Sequence, residues 1–456
     1  MPDAVDGLSG LDEVCERVLA ETGCPSVSVA VAAGEELVLA RAYGLADVAA
    51  GRAATPGTAY GLASTTKAFV ALAVCLAADR GLLDLDAPLA AGFGRTAPTP
   101  RQLLCHRGGF PGYYDFSYES AYRPVDIDRY RRQLHEPGGE FEYANLGYQE
   151  LGRLLEAVTG RATADLLREW IAEPLGLADF AYAHVHPGPG PAATRYTPDG
   201  RPYPPVRNGH PAATSGWATA GDVARFARRS LGLLKPETAA AVHVGPAIFD
   251  ADGLDSGGLG YGLGRVFQRT ADGAVLSSHG GGMGGVASMM LDVPARGLSL
   301  AVLANSTDKT ARDAVFRYLT AALAPECDPR HLAPSAEPGL PCTLAPGSWS
   351  GQVATPDGDT VPLAVTALPD GRVEVRLADH PPVTVPAAAS ARWDVRLVAP
   401  LQLPTPDALL NSPSFGLELR LRDGDLTGRA IAFRNGDREG LLGPYLPHPC
   451  ELRRQG

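Results

Sequence analysis

A serine and a lysine three residues apart stand at the start of an apolar stretch. Ser64 and Lys67 directly precede the almost wholly apolar run from Ala68 to Ala78. On a helix, positions i and i+3 share a face, so the hydroxyl and the amine are expected to be neighbours. A serine hydroxyl is a weak nucleophile until a base takes its proton, and burial can lower the pKa of a lysine enough for that role. The pair therefore predicts nucleophilic acyl transfer.

The same S-x-x-K pattern occurs a second time, from Ser306 to Lys309, in a chain with only three lysines. The number of matches does not show which of the two is catalytic. The residues around each match must decide. The second match follows an apolar, strand-like run and contains Asp308, which is typical of a turn. We therefore interpret Lys309 as a solvated loop residue and Ser64 as the nucleophile; the alternative for Ser64 is a helix cap.

Two further patterns supply groups that such chemistry needs. In Tyr143-Ala144-Asn145, the phenol can act as acid or base and the amide can both donate and accept hydrogen bonds. In the run from His279 to Gly282, glycines allow a ligand to approach the backbone N–H groups, and the imidazole can bind a carboxylate or carbonyl. Taken singly, the first pattern is better explained by a packed tyrosine and an N-cap asparagine. A glycine-rich hairpin with an incidental histidine explains the second pattern as well as a binding role does.

Regular apolar spacing indicates the elements that position these residues. The run from Ala68 to Ala78 is apolar on all sides, which predicts a fully buried helix. The other predicted elements are a helix from Leu11 to Leu19, a hairpin of Val27 to Val31 with Leu37 to Ala42, helices from Tyr148 to Val158 and from Ala220 to Leu231 with Asp222 as cap, and a hairpin of Ala287 to Leu291 with Leu298 to Ala304. Helices bracketed by antiparallel strands predict an α+β fold, with a sheet covered by helices.

The composition changes near residue 325. Prolines punctuate the segment that follows, and beyond it short alternating strands are separated by Asp-Gly turns at 357–358, 370–371 and 423–424. This pattern is typical of a small all-β unit, and we expect a barrel. The predicted organisation is a catalytic domain over residues 1–325, a proline-rich linker over 326–346 and a β-barrel domain over 347–456.

Charge and composition exclude several classes of partner. The net charge is −11, from 40 basic and 51 acidic residues, so the chain lacks the basic surface that nucleic acid requires. We find no polybasic run, membrane-spanning stretch or signal peptide, and we expect a cytoplasmic protein that binds no membrane. The seven cysteines are scattered and form no C-x-x-C pair, which predicts reduced thiols and no metal or other cofactor.

In chain order, Ser64-x-x-Lys67, Tyr143-x-Asn145 and His279-Gly280-Gly281 resemble the three motifs of the penicillin-binding protein and serine β-lactamase superfamily. Further segments resemble those of β-lactamase-related esterases, namely residues 99–106, 137–160, 219–222 and 259–262. The resemblance covers roughly residues 10 to 325. It implies a catalytic domain in which an antiparallel sheet is flanked by helices and joined to an all-helical subdomain.

The third motif departs from that of β-lactamases, which usually carry Lys-Thr-Gly. Here His279-Gly280-Gly281 resembles the H-x-G variant of the superfamily's esterases, D-aminopeptidases and penicillin-binding-protein-type thioesterases. A lipocalin-like barrel behind the catalytic domain resembles certain D-amino-acid peptidases and the stand-alone thioesterases that cyclise nonribosomal peptides. We therefore favour a thioesterase that releases and macrocyclises a nonribosomal peptide. The alternatives are a D-amino-acid-specific peptidase or esterase, a β-lactamase, and a non-catalytic peptide-binding homologue.

The resemblance also implies a role for each motif residue. Lys67, with Tyr143, takes the proton of Ser64, and Tyr143 returns it to the leaving group. Asn145 positions Lys67 and the amide of the acyl chain, and His279 contacts the substrate or the Tyr143 hydroxyl.

The expected oxyanion hole consists of the Ser64 and Gly282 N–H groups, and the expected substrate is a peptidyl thioester, small peptide or ester. A carrier protein of a peptide synthetase is the partner that the thioesterase interpretation adds. Arg453 and Arg454, near the end of the chain, could clamp a peptide carboxylate; the alternative is two solvated arginines.

Overall fold

The computed structural model describes residues 6–90, 93, 96–118, 125–188, 190, 192–246, 259–332, 339–434 and 436–456. Pro334 and Pro338, two prolines of the predicted linker, lie outside the described residues. The helices are α1 (Leu11–Thr22), α2 (Thr66–Asp79), α3 (Pro100–Leu104), α4 (Asn145–Thr159), α5 (Thr163–Leu167), α6 (Glu173–Leu175), α7 (Pro211–Thr214), α8 (Ala220–Arg229), α9 (Pro236–Ala241), α10 (Thr310–Leu323) and α11 (Pro406–Asn411).

Strands occur in both parts of the chain. Those of the first part are β1 (Ser26–Ala33), β2 (Glu36–Asp47), β3 (Arg52–Ala53), β4 (Tyr60–Gly61), β5 (Ser117–Tyr118), β6 (Ala181–Tyr182), β7 (Val206–Arg207), β8 (Gly216–Ala218), β9 (Leu259–Tyr261), β10 (Val266–Arg269), β11 (Val275–Met283), β12 (Val286–Val293) and β13 (Leu298–Ala304). Those of the second part are β14 (Leu340–Pro341), β15 (Gly347–Ala354), β16 (Thr360–Ala367), β17 (Arg372–Leu377), β18 (Val383–Pro386), β19 (Ala388–Ala389), β20 (Val395–Ala399), β21 (Ser414–Arg422), β22 (Asp425–Phe433) and β23 (Tyr445–Arg454).

An eight-stranded antiparallel sheet organises the first part of the chain, with the strand order β3-β2-β1-β13-β12-β11-β10-β9. Both predicted hairpins lie in its centre. Alternate residues of β1 face opposite layers: Val27 and Val29 pack with α1 and α10, whereas Ala30 and Ala32 pack with α2 and α8. Helices on both faces of an antiparallel sheet confirm the predicted α+β class.

The buried helix is present as predicted. Every residue of α2 from Thr66 to Ala77 is buried, and the helix ends at Asp79, shortly before Gly81, whose φ is +73°. A short 3-10 turn from Ala63 to Thr65 precedes α2. Helices α3 to α7 follow in the next part of the chain. Of these, α4, α5 and α7 pack against α2, and α3 packs against α4.

The predicted cap of α8 is wrong. Thr219 occupies the N-cap position, with extended backbone, and its side chain accepts a hydrogen bond from the Asp222 N–H. Asp222 lies at the third helical position instead, and its carboxylate accepts a hydrogen bond from the Asp179 N–H. A threonine directly before the helix competes better for the capping position, because its oxygen reaches the unpaired N–H groups of the first turn.

A ten-stranded antiparallel sheet forms most of the second part of the chain, with the strand order β14-β19-β20-β21-β22-β23-β15-β16-β17-β18. Strand β18 lies at one edge and β19 lies beside the other edge, yet only Ala387 separates them in sequence. The sheet must therefore curl until its two edges approach each other. A 3-10 turn over Pro329–Leu332 and strand β14 occupy parts of the segment predicted as a linker.

Among the described residues, no helix combines the length and the apolar character needed to cross a lipid bilayer.

Candidate active site

Ser64 lies in the 3-10 turn that leads into α2. The preceding residue, Ala63, has a φ of +45°, a conformation that residues other than glycine rarely adopt. Backbone hydrogen bonds hold the turn, because Leu62 N–H donates to Gly216 O and Gly216 N–H donates to the Thr66 hydroxyl, each at 2.8 Å. Such strained backbone persists only where its surroundings determine it, and it is concentrated at functional sites.

The Lys67 ammonium nitrogen is surrounded by three oxygen atoms. It lies 3.1 Å from Ser64 Oγ, 2.7 Å from Asn145 Oδ1 and 3.2 Å from Ala213 O. Lys67 is fully buried. No carboxylate pairs with it among the described residues, so its charge has no opposite partner there. The structure thus brings together the predicted residues Ser64, Lys67 and Asn145 and adds the Ala213 carbonyl, which the sequence did not indicate.

Burial moves the pKa values of the lysine and the tyrosine in opposite directions. Burial lowers the pKa of Lys67 well below its ordinary value of 10.5. Burial raises the pKa of the Tyr143 phenol, and a hydrogen bond with the Ser64 side chain opposes this only in part. At neutral pH, Lys67 is therefore the group that can lack a proton, and Tyr143 is the group that retains one.

Tyr143 and Asn145 stand where α4 begins. Ala144 occupies the N-cap position and Asn145 is the first helical residue, so the alternative of Asn145 as a helix cap is not what the structure shows. The Asn145 side-chain amide donates to Tyr113 O at 2.7 Å, which leaves Oδ1 to accept from Lys67. The Lys67 ammonium lies 4.8 Å from the centre of the Tyr143 ring.

His279 lies on β11 and contacts Tyr261 rather than Tyr143. Its Nε2 is 2.8 Å from the Tyr261 hydroxyl, and its Nδ1 is 2.8 Å from Gly280 O. Burial, followed by the Lys67 charge, lowers the pKa of His279 to about 3, so the ring is neutral. With Nδ1–H donating to the carbonyl, Nε2 accepts from the tyrosine hydroxyl. Tyr261 was part of a family-like segment in the sequence, but nothing in its spacing indicated this contact.

The glycine run brings β11 against the serine turn. The Cβ that Gly281 lacks would lie 2.1 Å from Leu62 O and 3.1 Å from Ser64 N, so a larger residue would not fit. Strand β10 pairs with β11 only from Val275 to Ser278. From His279 to Met283, that edge of β11 carries no strand in the part of the chain that the structure describes. Gly280, Gly281 and Gly282 thus present an unpaired strand edge beside Ser64.

His106 fills the space between the tyrosines and is a residue that sequence reasoning missed. Its ring centre lies 4.2 Å from that of Tyr143 and 4.6 Å from that of Tyr261. The Ala144 N–H donates to His106 Nδ1 at 3.1 Å, which assigns the ring proton to Nε2. Burial, then the Lys67 charge, holds the pKa of His106 well below 6.5. A neutral imidazole therefore packs against the phenol without adding charge.

Arg453 and Arg454 lie outside this group. Both are on β23, which pairs with β15, and the Arg453 guanidinium forms an ion pair with Asp425 at 2.5 Å. Its side chain is 75% exposed. Arg454 N–H donates to the same carboxylate, and its guanidinium lies 5.9 Å from the Trp349 ring. The structure shows no contact of either arginine with Ser64, Lys67 or Tyr143 among the described residues.

A buried ion pair links the curled sheet to the segment that carries Tyr143. Glu142 pairs with Arg429 of β22 and, at 3.0 Å, with Arg392. It also accepts a hydrogen bond from Gly112 N–H at 3.0 Å. Burial acts to raise the pKa of Glu142, but the charges of Arg429 and Arg392 and the hydrogen bonds with His135 and Arg429 together outweigh it and leave the pKa well below its ordinary value. The carboxylate is therefore ionised, and the curled sheet anchors the residue next to Tyr143.

We expect Glu142→Gln to destabilise the protein by about 3–5 kcal/mol, because it leaves the buried guanidinium of Arg429 without its main counter-charge. The double variant Glu142→Met/Arg429→Met should lose much less. Midpoints of urea unfolding measure both effects. Glu169→Gln is the matched control, since it removes an exposed carboxylate from Arg161 and should change little. A single and a double variant of equal stability would contradict this interpretation.

The low pKa of Glu142 also determines how the stability of the protein changes with pH. The carboxyl binds a proton more readily in the unfolded chain than in the folded protein. Its contribution to stability is thus present above its ordinary pKa of 4.5 and is lost as the pH falls below that value. Glu142→Gln should flatten this part of the pH dependence.

The described cysteines are unpaired, and five of the seven are buried. No group of three or more His, Cys, Asp or Glu side chains is arranged for a metal ion in the ranges that the structure covers.

Comparisons with known proteins identify the family of the chain. A family model described as Beta-lactamase matches residues 11–324. Esterase EstB of Burkholderia gladioli is 31% identical over 247 residues, which cover 46% of this chain and 62% of the esterase. Protein flp of Staphylococcus aureus strain N315 is 30% identical over 200 residues, 40% of this chain and 39% of that protein. The chain thus spans less than two thirds of either relative.

Solved structures with a similar fold cover most of the chain. The crystal structure of SurE has a TM-score of 0.64 at 22% identity and covers 100% of both chains. The octameric penicillin-binding protein homologue from Pyrococcus abyssi has a TM-score of 0.60 at 20% identity and covers 98% of this chain and 100% of its own. D-amino acid amidase from Ochrobactrum anthropi SV3, in complex with L-phenylalanine amide, has a TM-score of 0.57 at 23% identity over 70% of this chain and 99% of its own. At these identities the likeness concerns the fold.

Proposed function

Because the chain belongs to the beta-lactamase family, we propose that it catalyses acyl transfer through an ester formed on Ser64. The observation that supports this most strongly is the part-buried triangle of Ser64 Oγ, Lys67 Nζ and Asn145 Oδ1. Asn145 Oδ1 and Ala213 O can only accept hydrogen bonds, so they take two N–H groups of a neutral Lys67. The remaining lone pair then faces the Ser64 hydroxyl at 3.1 Å.

In the proposed first step, Lys67 takes the Ser64 proton while Oγ bonds to the acyl carbon. The N–H groups of Ser64 and Gly282 stabilise the oxyanion. The carbonyl re-forms as the bond to the leaving group breaks. Tyr143, whose phenol keeps its proton at neutral pH and lies within hydrogen-bond reach of Ser64, gives that proton to the leaving group. Lys67 then restores the proton to Tyr143, which returns the site to its starting charge.

We favour a peptidyl thioester as acyl donor and an amine of the same peptide as acceptor, which gives a macrolactam. The unpaired edge of β11 from His279 to Met283 supports a peptidyl donor, because an extended peptide can add to such an edge through its backbone. The likeness to SurE extends over the curled sheet as well, and SurE has also been solved with D-Leu. A carrier protein of a peptide synthetase would deliver the thioester.

Hydrolysis is the second candidate. The likeness to EstB favours an esterase, and the fold of a D-amino acid amidase favours a donor with a D-residue. Water would then replace the amine as acceptor. His279-Gly280-Gly281 in place of Lys-Thr-Gly argues against β-lactamase activity. We also propose that residues 347–456 form a lipocalin-like barrel domain behind a catalytic domain over residues 1–325, because the curled sheet brings its edges together.

A synthetic peptidyl thioester with a free amino terminus and a C-terminal D-residue tests the choice of acceptor. We expect a product lighter than the linear acid by one water, detected by mass spectrometry. The L-diastereomer and the Ser64→Ala variant are the controls, and both should give little product. A linear acid as sole product would favour the hydrolase, and consumption of thioester by Ser64→Ala would contradict both candidates.

A further inference from the structure

Arg195 is a buried arginine without a counter-charge. Only 8% of the surface of Arg195 is exposed. No hydrogen bond or ion pair joins its guanidinium to a protein group among the described residues. The Trp217 ring lies 5.4 Å from the guanidinium carbon. Because removing a cation from water is costly, such a group calls for a partner.

The guanidinium groups of the other buried arginines have ion-pair or hydrogen-bond partners. Arg429 pairs with Glu142 and Glu418. Arg312 donates to two carbonyls of β11 and β12, and Arg265 donates to the Ser230 hydroxyl. Among the described arginines with less than a tenth of their surface exposed, Arg195 alone has no such partner. Burial lowers the pKa of Arg195 to about 10, so the group is still charged at neutral pH.

The backbone around Arg195 is fixed. Thr194 N–H donates to Ala46 O, Tyr196 N–H donates to Asn305 O, and Arg195 O accepts from Tyr203 N–H, each at 2.8 to 3.0 Å. The point from which the Arg195 side chain extends is therefore fixed by the fold. A fixed fork of N–H donors loses little entropy when it binds a carboxylate.

Arg195 faces a small cavity beside the serine turn. Gly61 lines it three residues before Ser64, and Met283 lines it directly after Gly282. Ser215 also lines it, two residues after Ala213, whose carbonyl contacts Lys67. The Ser215 hydroxyl and His184 Nδ1 are buried and have no hydrogen-bond partner within the described part of the chain. Arg195, Ser215 and His184 thus line one space, which holds about a single water-sized group.

We propose that Arg195, with the Ser215 hydroxyl, forms a subsite for a carboxylate carried by the acyl donor. One carboxylate oxygen can accept hydrogen bonds from both groups. The donor is therefore an acyl chain with an acidic side chain or a second carboxyl group. This inference rests on the proposed acyl transfer at Ser64 and adds the chemical class of its substrate.

Two matched esters test the subsite: a p-nitrophenyl ester of glutaric acid with a free carboxylate, and the same ester with a carboxamide in its place. For the unaltered protein we expect kcat/KM to favour the carboxylate by about 10- to 100-fold. Arg195→Met should remove this preference and leave kcat/KM for the carboxamide within about threefold. Arg195→Lys should give an intermediate preference, because a single ammonium replaces the fork.

Arg207→Met is the matched control, since it removes an exposed arginine that acts on the same His184. It should keep the preference. An equal kcat/KM for both esters in the unaltered protein, or a preference that survives Arg195→Met, would overturn the proposal.

A binding measurement separates this subsite from the chemistry at Ser64. In the Ser64→Ala background, calorimetry should detect glutaramate, the monoamide that retains one carboxylate, and should detect none after the additional change Arg195→Met. Glutaramide, which lacks the charge, should not bind either protein. Absence of glutaramate binding would overturn the subsite. Binding together with absent esterase turnover would instead leave the subsite standing and refute the proposed acyl transfer.

Discussion

Replacing Ser64 with alanine should abolish covalent labelling by a fluorophosphonate probe and lower ester turnover by at least about a thousandfold. The physical reason is that Ser64 Oγ is the hydroxyl that lies 3.1 Å from the buried Lys67 amine. Without it, no acyl-enzyme forms, and only the binding and oxyanion contributions remain. Intact-mass spectrometry after exposure to the probe measures the adduct directly.

Ser306→Ala is the matched control for this change. Ser306 begins the second S-x-x-K segment, but its hydroxyl accepts a hydrogen bond from Asp308 N–H, and Asp308 in turn accepts from the first residue of α10. The serine therefore belongs to a turn that starts a helix. Ser306→Ala should retain both labelling and turnover within a few-fold. A probe adduct of unchanged stoichiometry in Ser64→Ala would show that another residue is the nucleophile.

Local pattern was sufficient to predict the elements that carry Ser64 and Lys67. Helix α2 has apolar residues on every face, so its burial follows from composition alone. Hairpins form where Gly34 and the segment from Pro294 to Gly297 break the apolar runs, because these residues adopt turn conformations directly. Thr219 was overlooked as a cap, although threonine before a helix is the stronger local signal.

Long-range contacts at the site could not be predicted in the same way. Glu142 and Arg429 are 287 residues apart in sequence, and nothing in either neighbourhood indicates that they meet. The contact of His279 with Tyr261 depends on the loop that returns β10 alongside β11. Arg195 carries no motif at all, and its importance emerges only once burial shows that it lacks a partner. Such contacts depend on how distant segments of the chain pack together, so the sequence of a single segment does not predict them.

Lys67→Met should lower the rate of acylation by about 10²–10⁴-fold, because it removes the proposed base and leaves the nucleophile in place. Methionine is close to lysine in length and carries no charge, so it fits the same buried space. Lys67 has no carboxylate partner among the described residues, and replacing it therefore breaks no ion pair. We expect a variant that folds normally, with an unfolding midpoint equal to or above that of the unaltered protein.

The pH dependence separates the loss of a base from a general structural effect. Since burial holds the pKa of Lys67 well below 10.5, the folded protein binds fewer protons at this group than the unfolded chain does. Between the folded pKa and 10.5, the contribution of Lys67 to stability therefore increases with pH, and below the folded pKa the penalty of the buried charge is complete. The unfolding free energy of the unaltered protein, relative to that of Lys67→Met, should therefore increase with pH over this range and stay constant below it.

The acylation rate of the unaltered protein should rise with pH through the same lowered pKa and then reach a plateau, because only neutral Lys67 can take the Ser64 proton. Stopped-flow release of p-nitrophenol measures the rate across this range, and Lys67→Met should lack the rising limb. Lys235→Met, which removes an exposed lysine, should reproduce the profile of the unaltered protein. A rising limb that persists in Lys67→Met would assign the base to another group, and Tyr143, whose phenol contacts Ser64, would then be the first to replace.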